Sequence, residues 1–271
     1  MVAISVVILA KNEEALIGRC IRSVEWADEV LVVDSGSTDK TRDIAQSLGA
    51  RVHEQPWLGW SGQRNKGIEL AKYDWILMLD CDEIVTPELA KSLQTVMASD
   101  PDPQDVYSVN RRGDFYGELL PNYLPKHRQL NFVRLFHRAH SAYDPTMKVH
   151  EEIRYPGKAH LLDGVLIHWR AYAMDEYMNS VNRYATIEAE VLNDKGVRSS
   201  GTKIILRPLL RFIWCYIIHR EFLLGTRGLT HALLAAIGDY IRYVKLWELQ
   251  NAPKVLDPPD SVYLELSRPK S

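Results

Sequence analysis

Trp75-Ile-Leu-Met-Leu-Asp80-Cys-Asp82-Glu83 decides how the chain is read. Five apolar residues run directly into three closely spaced carboxylates. An unbroken apolar run of this length predicts a strand buried on both faces of a parallel sheet. The carboxylates then emerge at its C-terminal end, the edge at which open α/β sheets bind ligands. As a continuing strand, Asp80 and Asp82 alternate by two and point the same way. Two carboxylates side by side repel unless a cation sits between them. A hard divalent ion such as Mg2+ or Mn2+ suits oxygen ligands of this kind. The same stretch also fits a strand end with solvated acids and a cap for the next helix.

Working outward toward the N-terminus, Ile4 to Ala10 reads as a first buried strand. Lys11-Asn12-Glu13-Glu14 follows, with Asn12 as helix N-cap and acids in the first turn. Ile17, Cys20, Ile21 and Val24 then recur at helical spacing. Glu29 to Val33 is a second buried strand, ending at Asp34-Ser-Gly-Ser-Thr-Asp39. That loop opens a helix running to Leu48, with Gly49 just past its end. Arg51 to Glu54 is a short third strand, and Gly62-Gln-Arg-Asn-Lys-Gly67 precedes another short helix. Beyond the central strand, Thr86 is an N-cap and Pro87 the first helical residue. Strands alternating with helices imply βαβ units and a parallel sheet through residue 98.

The loops at Lys11, Asp34 and Asp80 therefore lie at one sheet edge. Such a crevice suits a nucleotide. Asp34 is placed to accept from a base N–H, Ser35 to Thr38 to hold sugar or phosphate, and Arg64 to pair with a diphosphate. Each residue alone also fits a cap or a solvated charge; their convergence favours the site.

Pro101-Asp-Pro103 marks a change of character. Short strands are expected over Val106–Arg111, Asn131–His137, Val149–Arg154 and Leu161–His168, forming a mixed sheet that receives a second substrate. Phe115 to Tyr123 is an aromatic loop suited to stacking on a sugar ring or to packing at the surface. Glu151 and Glu152 are adjacent on a strand, so at most one faces a site. His168 ends an apolar strand; beside two aspartates it becomes a candidate metal ligand. Residues 172–195 read as a helix. Residues 203–220 are apolar but interrupted by Arg207, Pro208, Arg211, His219 and Arg220. Their uncharged run is far short of the ~20 residues a membrane span needs. Cations and aromatics there suit a helix lying in the membrane interface; a soluble helical cap and a dimer partner are the alternatives. A further helix covers Leu229 to Leu249.

The 271 residues include 33 Lys plus Arg against 35 Asp plus Glu, a net charge of −2 that makes no case for nucleic-acid binding. Three scattered cysteines, Cys20, Cys81 and Cys215, suggest a reducing compartment without disulfides. The apolar N-terminus lacks a basic leader region and reads as a strand, not a signal peptide.

Four motifs in this order resemble the successive motifs of inverting family 2 glycosyltransferases of GT-A fold. They are Ile4-Ser-Val-Val-Ile-Leu-Ala-Lys-Asn-Glu13, Val33-Asp-Ser-Gly-Ser-Thr-Asp39, Gln63-Arg-Asn-Lys-Gly67 and Leu79-Asp-Cys-Asp-Glu83. With Val149-His-Glu151, His168 and the helical tail, the chain is similar to the lipopolysaccharide core glucosyltransferase branch. The resemblance implies a GT-A domain over 1–170, divided into a Rossmann-like nucleotide-sugar-binding half (1–98) and a mixed-sheet acceptor half (99–170). A C-terminal helical extension, 171–271, follows. It implies a nucleotide-sugar site of Ala10, Asn12, Glu13, Asp34, Ser35, Gly36, Arg64, Asn65, Asp80, Cys81 and Asp82. Glu13 and Asp34 match uridine contacts, and Arg64 and Asn65 match residues approaching base and diphosphate. Asp80 and Asp82 match the DxD pair, with Asp82 and His168 on a Mg2+ or Mn2+ ion. Glu151 sits where the family places its general base; the usual Glu-Asp pair is Glu151-Glu152 here, so either acid is a candidate.

The implied reaction moves a sugar, glucose in that branch, from a UDP-sugar to a hydroxyl of a lipopolysaccharide-core or other surface glycan. It does so by single displacement, on the inner face of the cytoplasmic membrane. A metal neutralises the leaving diphosphate and a carboxylate takes the acceptor proton. A polyprenyl-phosphate acceptor, a nucleotidyltransferase and a non-catalytic glycan-binding protein are the competing readings. The absence of a Gly-rich, basic triphosphate loop near the start counts against the nucleotidyltransferase.

Overall fold

A computed structural model describes residues 2–121, 126–144, 153–170 and 173–251. The first half alternates strand and helix: β1 (Ile4–Ala10), α1 (Ile17–Arg22), β2 (Glu29–Asp34), α2 (Thr41–Ser47), β3 (Arg51–Glu54), α3 (Trp60–Leu70) and β4 (Trp75–Asp80). Then follow β5 (Glu83–Val85), α4 (Pro87–Ala98), β6 (Val106–Phe115), β7 (Glu118–Leu119), α5 (Lys126–Gln129), β8 (Val133–His137), β9 (Ala142–Tyr143), β10 (Ile153–Arg154) and β11 (Ala159–His168). The helices α6 (Met174–Asp194), α7 (Gly201–Ile213) and α8 (Gly225–Asn251) complete the described chain, with a π-helical turn at Trp214–Ile218 and a 3-10 turn at Glu221–Leu224.

Strand order in the large sheet is β3-β2-β1-β4-β8-β6-β11-β5, with β7 paired to β6 outside that path. β3, β2, β1 and β4 are mutually parallel. β8 runs antiparallel to both β4 and β6, while β11 is parallel to β6. A parallel half is thus joined to a mixed half, the layout that the GT-A resemblance implies. The apolar runs of β1 and β4 are buried on both faces, as their sequences require. Helices on either side close two apolar cores. Ile17, Ile21 and Leu93 contribute to one, and Val7, Ile76 and Phe136 to the other. Full burial of each large side chain stabilises the fold by roughly 1.5–3 kcal/mol.

Four strand spacings, about 19 Å in a flat sheet, separate β4 from β5 in that order. The chain joins the two through Cys81 and Asp82, and three residue steps reach only about 10 Å. The sheet must therefore curl until β11 and β5 stand beside the end of β4. This curl brings His168, paired with Glu83 across β11 and β5, to the central acids.

Two local expectations are corrected. Asn12 does not cap α1: the helix begins at Ile17 with Leu16 in the cap position and no side-chain cap bond. Asn12 instead adopts a left-handed backbone, φ 56°, one that Asn tolerates better than most residues. Gly62 to Gly67 do not precede a helix; they lie within α3. Gly67 lets that helix approach β1, since a Cβ there would lie 2.5 Å from Val7 Cγ1. Thr86 does cap α4, its hydroxyl accepting from the Leu89 amide at 3.4 Å, with Pro87 first in the helix.

Two compact units emerge: Met1–Ala173 with His219–Gly228, and Met174–Ile218 with Leu229–Ser271. Within the second, Ala189, Tyr243 and Leu246 form a small core. Asp239 accepts from Arg211 at 3.2 Å and from Arg242 at 2.8 Å. α7 buries none of its residues, and Ile205, Leu206, Leu209, Leu210 and Ile213 are all exposed. Among the described residues no helix is long and apolar enough to cross a membrane.

Candidate active site

The loops after β1 and β2 are laced together by short polar side chains. Asp34 is wholly buried. Its Oδ1 accepts from the Gly36 and Ser37 amides at 3.0 and 2.8 Å, and its Oδ2 accepts from the Ser37 hydroxyl. Ser37 Oγ in turn accepts from the Asn12 amide at 2.8 Å. Asn12 Oδ1 accepts from the Thr38 amide at 2.8 Å. The Glu13 amide donates to Thr41 Oγ1 at 2.7 Å, and the Ser35 amide to the Ala10 carbonyl at 2.9 Å. Small hydroxyl and amide residues recur here because each satisfies backbone groups that a tight loop leaves open. Asp34 thus organises the loop with both oxygens, where the sequence suggested an open acceptor for a base.

α3 supplies three consecutive side chains with different tasks. Gln63 is buried and donates to Ser35 Oγ at 3.0 Å and to the Gln55 carbonyl at 3.2 Å, fixing the β2 loop to the helix. Arg64 donates to Asp80 Oδ1 at 2.9 Å and lies over the Tyr143 ring at 5.5 Å. Asn65 faces β9: its Nδ2 donates to the Tyr143 carbonyl and its Oδ1 accepts from the Tyr143 amide, both at 3.0 Å. That two-point backbone clamp engages both ends of the amide which the resemblance aimed at the nucleotide.

At the end of β4 the acids diverge. The strand stops at Asp80, so the alternation assumed for Asp80 and Asp82 does not hold. Asp80 faces Arg64 and, at 3.7 Å, Arg134. Asp82 faces the curled-back half: Oδ2 lies 3.0 Å from His168 Nε2 and 2.8 Å from an Arg170 nitrogen. Glu83 is completely buried, and Oε1 accepts from Arg111 at 2.7 Å and Arg134 at 2.8 Å while Oε2 accepts from the Asp80 amide at 3.1 Å. The repulsion expected between the two aspartates is relieved by arginines built into the protein.

Charge and burial compete throughout this cluster. Burial works to raise the Asp80 pKa, but Arg64 and Arg134 outweigh it and hold the carboxyl below its ordinary range. Burial likewise opposes ionisation of Asp82, yet His168 and Arg170 drive its pKa well down. Glu13 is the exception: burial raises it, against the pull of Arg170 at 3.2 Å. Burial also pushes the Cys81 thiol far up, so it stays protonated and serves as packing between the acids.

The candidate nucleotide-sugar residues Ala10, Asn12, Glu13, Asp34, Ser35, Gly36, Arg64, Asn65, Asp80, Cys81 and Asp82 all fall at the C-terminal ends of β1, β2 and β4 or on α3. His168 joins them from β11. Glu151 and Glu152 lie outside the described residues. Arg111, Arg134 and Arg170 and the buried role of Glu83 were missed. Arg134 carried a signal, a lone cation inside the apolar strand Val133-Arg-Leu-Phe136. Such a residue needs a buried partner.

Asp82 and His168, the two residues the sequence put forward as metal ligands, lie side by side, Oδ2 3.0 Å from Nε2. Asp82 Oδ1 is buried with no hydrogen-bond partner among the described residues, an oxygen open to a cation. No group of three or more His, Cys, Asp or Glu side chains able to hold a metal occurs among the described residues. Mg2+ and its relatives commonly take one or two protein side chains and complete the shell with water and substrate phosphates, so the pair fits.

Comparison with known proteins places the chain among glycosyltransferases. A relative from Rhizobium meliloti, the lipopolysaccharide core biosynthesis glycosyltransferase LpsC, is 31% identical over 94% of this chain and 96% of its own. An uncharacterised glycosyltransferase of Rickettsia typhi is 30% identical over 92% of this chain and 88% of its own. Among solved structures, Staphylococcus aureus TarS 1-349 in complex with UDP-GlcNAc is 16% identical, with a TM-score of 0.48 over 92% of this chain and 91% of that one. The model for glycosyl transferase family 2 matches residues 5–153, so the chain belongs to glycosyltransferase family 2.

Proposed function

We propose that this glycosyltransferase moves a sugar, glucose by its sequence resemblance, from a UDP-sugar to a hydroxyl of a lipopolysaccharide-core or related surface glycan. One observation carries the donor half: Asp82, ionised at the crevice edge, keeps a buried oxygen open beside His168. Asp82 and His168 would hold a Mg2+ or Mn2+ ion, which when bound neutralises charge on the departing diphosphate. The laced loops around Asn12, Asp34 and Ser37 hold the crevice for uridine. Arg64 stands on the diphosphate side, a planar cation suited to phosphate oxygens. Glu151 or Glu152 takes the proton of the attacking hydroxyl, and a single displacement inverts the anomeric carbon. Acceptor class is supported by LpsC, a core biosynthesis glycosyltransferase by its name.

The exposed apolar residues of α7 share their stretch with Lys203, Arg207 and Arg211, and no acid occurs from Lys195 to Arg220. We read this surface as lying in the interface of an anionic membrane, on its cytoplasmic side, where a lipid-linked acceptor is presented. Flotation with vesicles containing anionic lipid would check this; protein left wholly in the soluble fraction rejects it.

The central test is UDP release from UDP-sugars with Mn2+ or Mg2+. Asp82→Ala and Glu151→Gln should each abolish most turnover; general-base loss alone costs roughly 100- to 10,000-fold. Undiminished turnover in both variants rejects the site. If Glu151→Gln alone is active, Glu152→Gln decides between the two acids.

A further inference from the structure

We propose that Arg170 is a resident counter-ion of the metal and diphosphate site, holding it closed until both arrive together. The inference rests on the donor site proposed above. Three observations meet at one place. Arg170 bridges two acids from different loops, 2.8 Å from Asp82 Oδ2 and 3.2 Å from Glu13 Oε1. Asp82 is nearly buried, 6% exposed, with His168 Nε2 3.0 Å from the oxygen that Arg170 also meets. Its second oxygen has no hydrogen-bond partner among the described residues.

A buried carboxylate is costly without a cation, and in the ligand-free protein Arg170 supplies one. A metal approaching Asp82 and His168 brings a second positive charge to the same carboxylate. Metal and guanidinium then compete, and metal alone must displace a charge-assisted hydrogen bond. Arrival of a nucleoside diphosphate changes the balance. Its phosphate oxygens are planar-fork acceptors for Arg170 and further ligands for the metal. The guanidinium would pass from Asp82 to the diphosphate, leaving Asp82 and His168 to hold the metal. Arg170 is positioned for such a move: its backbone amide is anchored to Asp114 Oδ1 at 2.8 Å, while its side chain is 30% exposed. Metal and nucleotide should therefore bind with positive coupling, and each should raise the other's affinity by the same factor.

The experiment is calorimetric titration of Mn2+ into the full chain, alone and with saturating UDP, for wild type, Arg170→Ala and Arg170→Gln. The backbone anchor to Asp114 does not depend on the Arg170 side chain, and thermal melting confirms that each variant is folded. Should Arg170→Ala not fold, Arg170→Gln, which keeps a hydrogen-bond donor without the charge, carries the test. In wild type, UDP should strengthen Mn2+ binding. Loss of the guanidinium should tighten Mn2+ binding without UDP by roughly ten- to hundredfold, the worth of one charge-assisted bond. UDP binding should weaken, and the coupling between the two ligands should shrink. A merely structural Arg170 would lower both affinities or neither. Mn2+ binding of equal strength in wild type and variants without UDP overturns this inference alone. No Mn2+ binding by any of them, with or without UDP, overturns the metal reading and this inference with it.

Discussion

Glu83→Ala should destabilise the protein severely although Glu83 makes no contact that points to substrate. Its carboxylate is fully buried and receives Arg111 at 2.7 Å, Arg134 at 2.8 Å and the Asp80 amide at 3.1 Å. Burial alone would depress the Arg134 pKa, but Glu83 and Asp80 reverse this and raise it, so Arg134 stays charged. Truncation takes the buried carboxylate away from both guanidinium groups, while Asp80 stays near Arg134 at 3.7 Å. Removing one partner of a buried ion pair costs about 3–5 kcal/mol. For a chain of this size each kcal/mol lowers Tm by about 2–4 °C, so the melting point should fall by roughly 6–20 °C. Urea unfolding gives the free energy directly, with an unchanged m-value showing that the denatured state is not what changed. Glu83→Gln should fall between wild type and Glu83→Ala, since its carbonyl accepts from one arginine while its amide adds a donor among donors. A loss below about 1 kcal/mol in Glu83→Ala would refute the reasoning, because it would mean the arginines find other partners at little cost.

Two further outcomes follow from the same physics. Asn65→Ala should cost about 1–3 kcal/mol by leaving the Tyr143 amide and carbonyl open. Hydrogen exchange at the Tyr143 amide should speed up, whereas lost UDP affinity at full stability would show Asn65 acting on the nucleotide. Glu29 tests pH dependence: burial works to raise its carboxyl, but bonds from Ser5, the Lys72 amide and Arg51 prevail and hold the folded pKa below 4.5. Its contribution is present above the unfolded pKa and is lost as pH falls through the folded one. The stability gap between wild type and Glu29→Gln, measured by urea unfolding, should begin to close as pH falls into the ordinary carboxylate range and go on closing below it; a gap that widens on acidification contradicts this sign.

The parallel half was legible because its signals are local. Apolar runs at Ile4–Ala10 and Trp75–Leu79 have no other comfortable environment than a covered sheet, and Thr86-Pro87 announces a helix start within two residues. Boundaries failed where tertiary contacts overrode such signals. Asn12 looks like a cap, yet its side chain is worth more bridging to the Thr38 amide across the crevice. Gly62 and Gly67 look like loop residues, yet close approach to β1 selects a glycine inside α3. The curl that returns β11 to the end of β4 left no local mark at all, because it follows from strand order, which depends on pairings between residues far apart in sequence.

That curl also explains what could and could not be read at the acids. Asp80-Cys-Asp82 is visible as a concentration of negative charge, and charge of one sign requires a compensating source. The spacing of the two aspartates suggested a divalent ion between them, and the family resemblance put that ion on Asp82 and His168. The structure divides the work. Arg64 and Arg134 meet Asp80, Arg111 and Arg134 meet Glu83, and Asp82 meets His168 and Arg170. Each arginine comes from an element distant in sequence, so spacing alone could not pair them. Asp80 and Glu83 are already charge-satisfied by fixed cations, and a metal offers them little. Of the three acids, Asp82 is the one with a buried oxygen that has no hydrogen-bond partner among the described residues. The proposed metal site therefore draws on one carboxylate of the three: Asp82→Asn should abolish Mn2+ binding in the presence of UDP, while Asp80→Asn should retain it and lose chiefly the hold on Arg64. Equal loss of Mn2+ in both would show that the two aspartates share the ion after all.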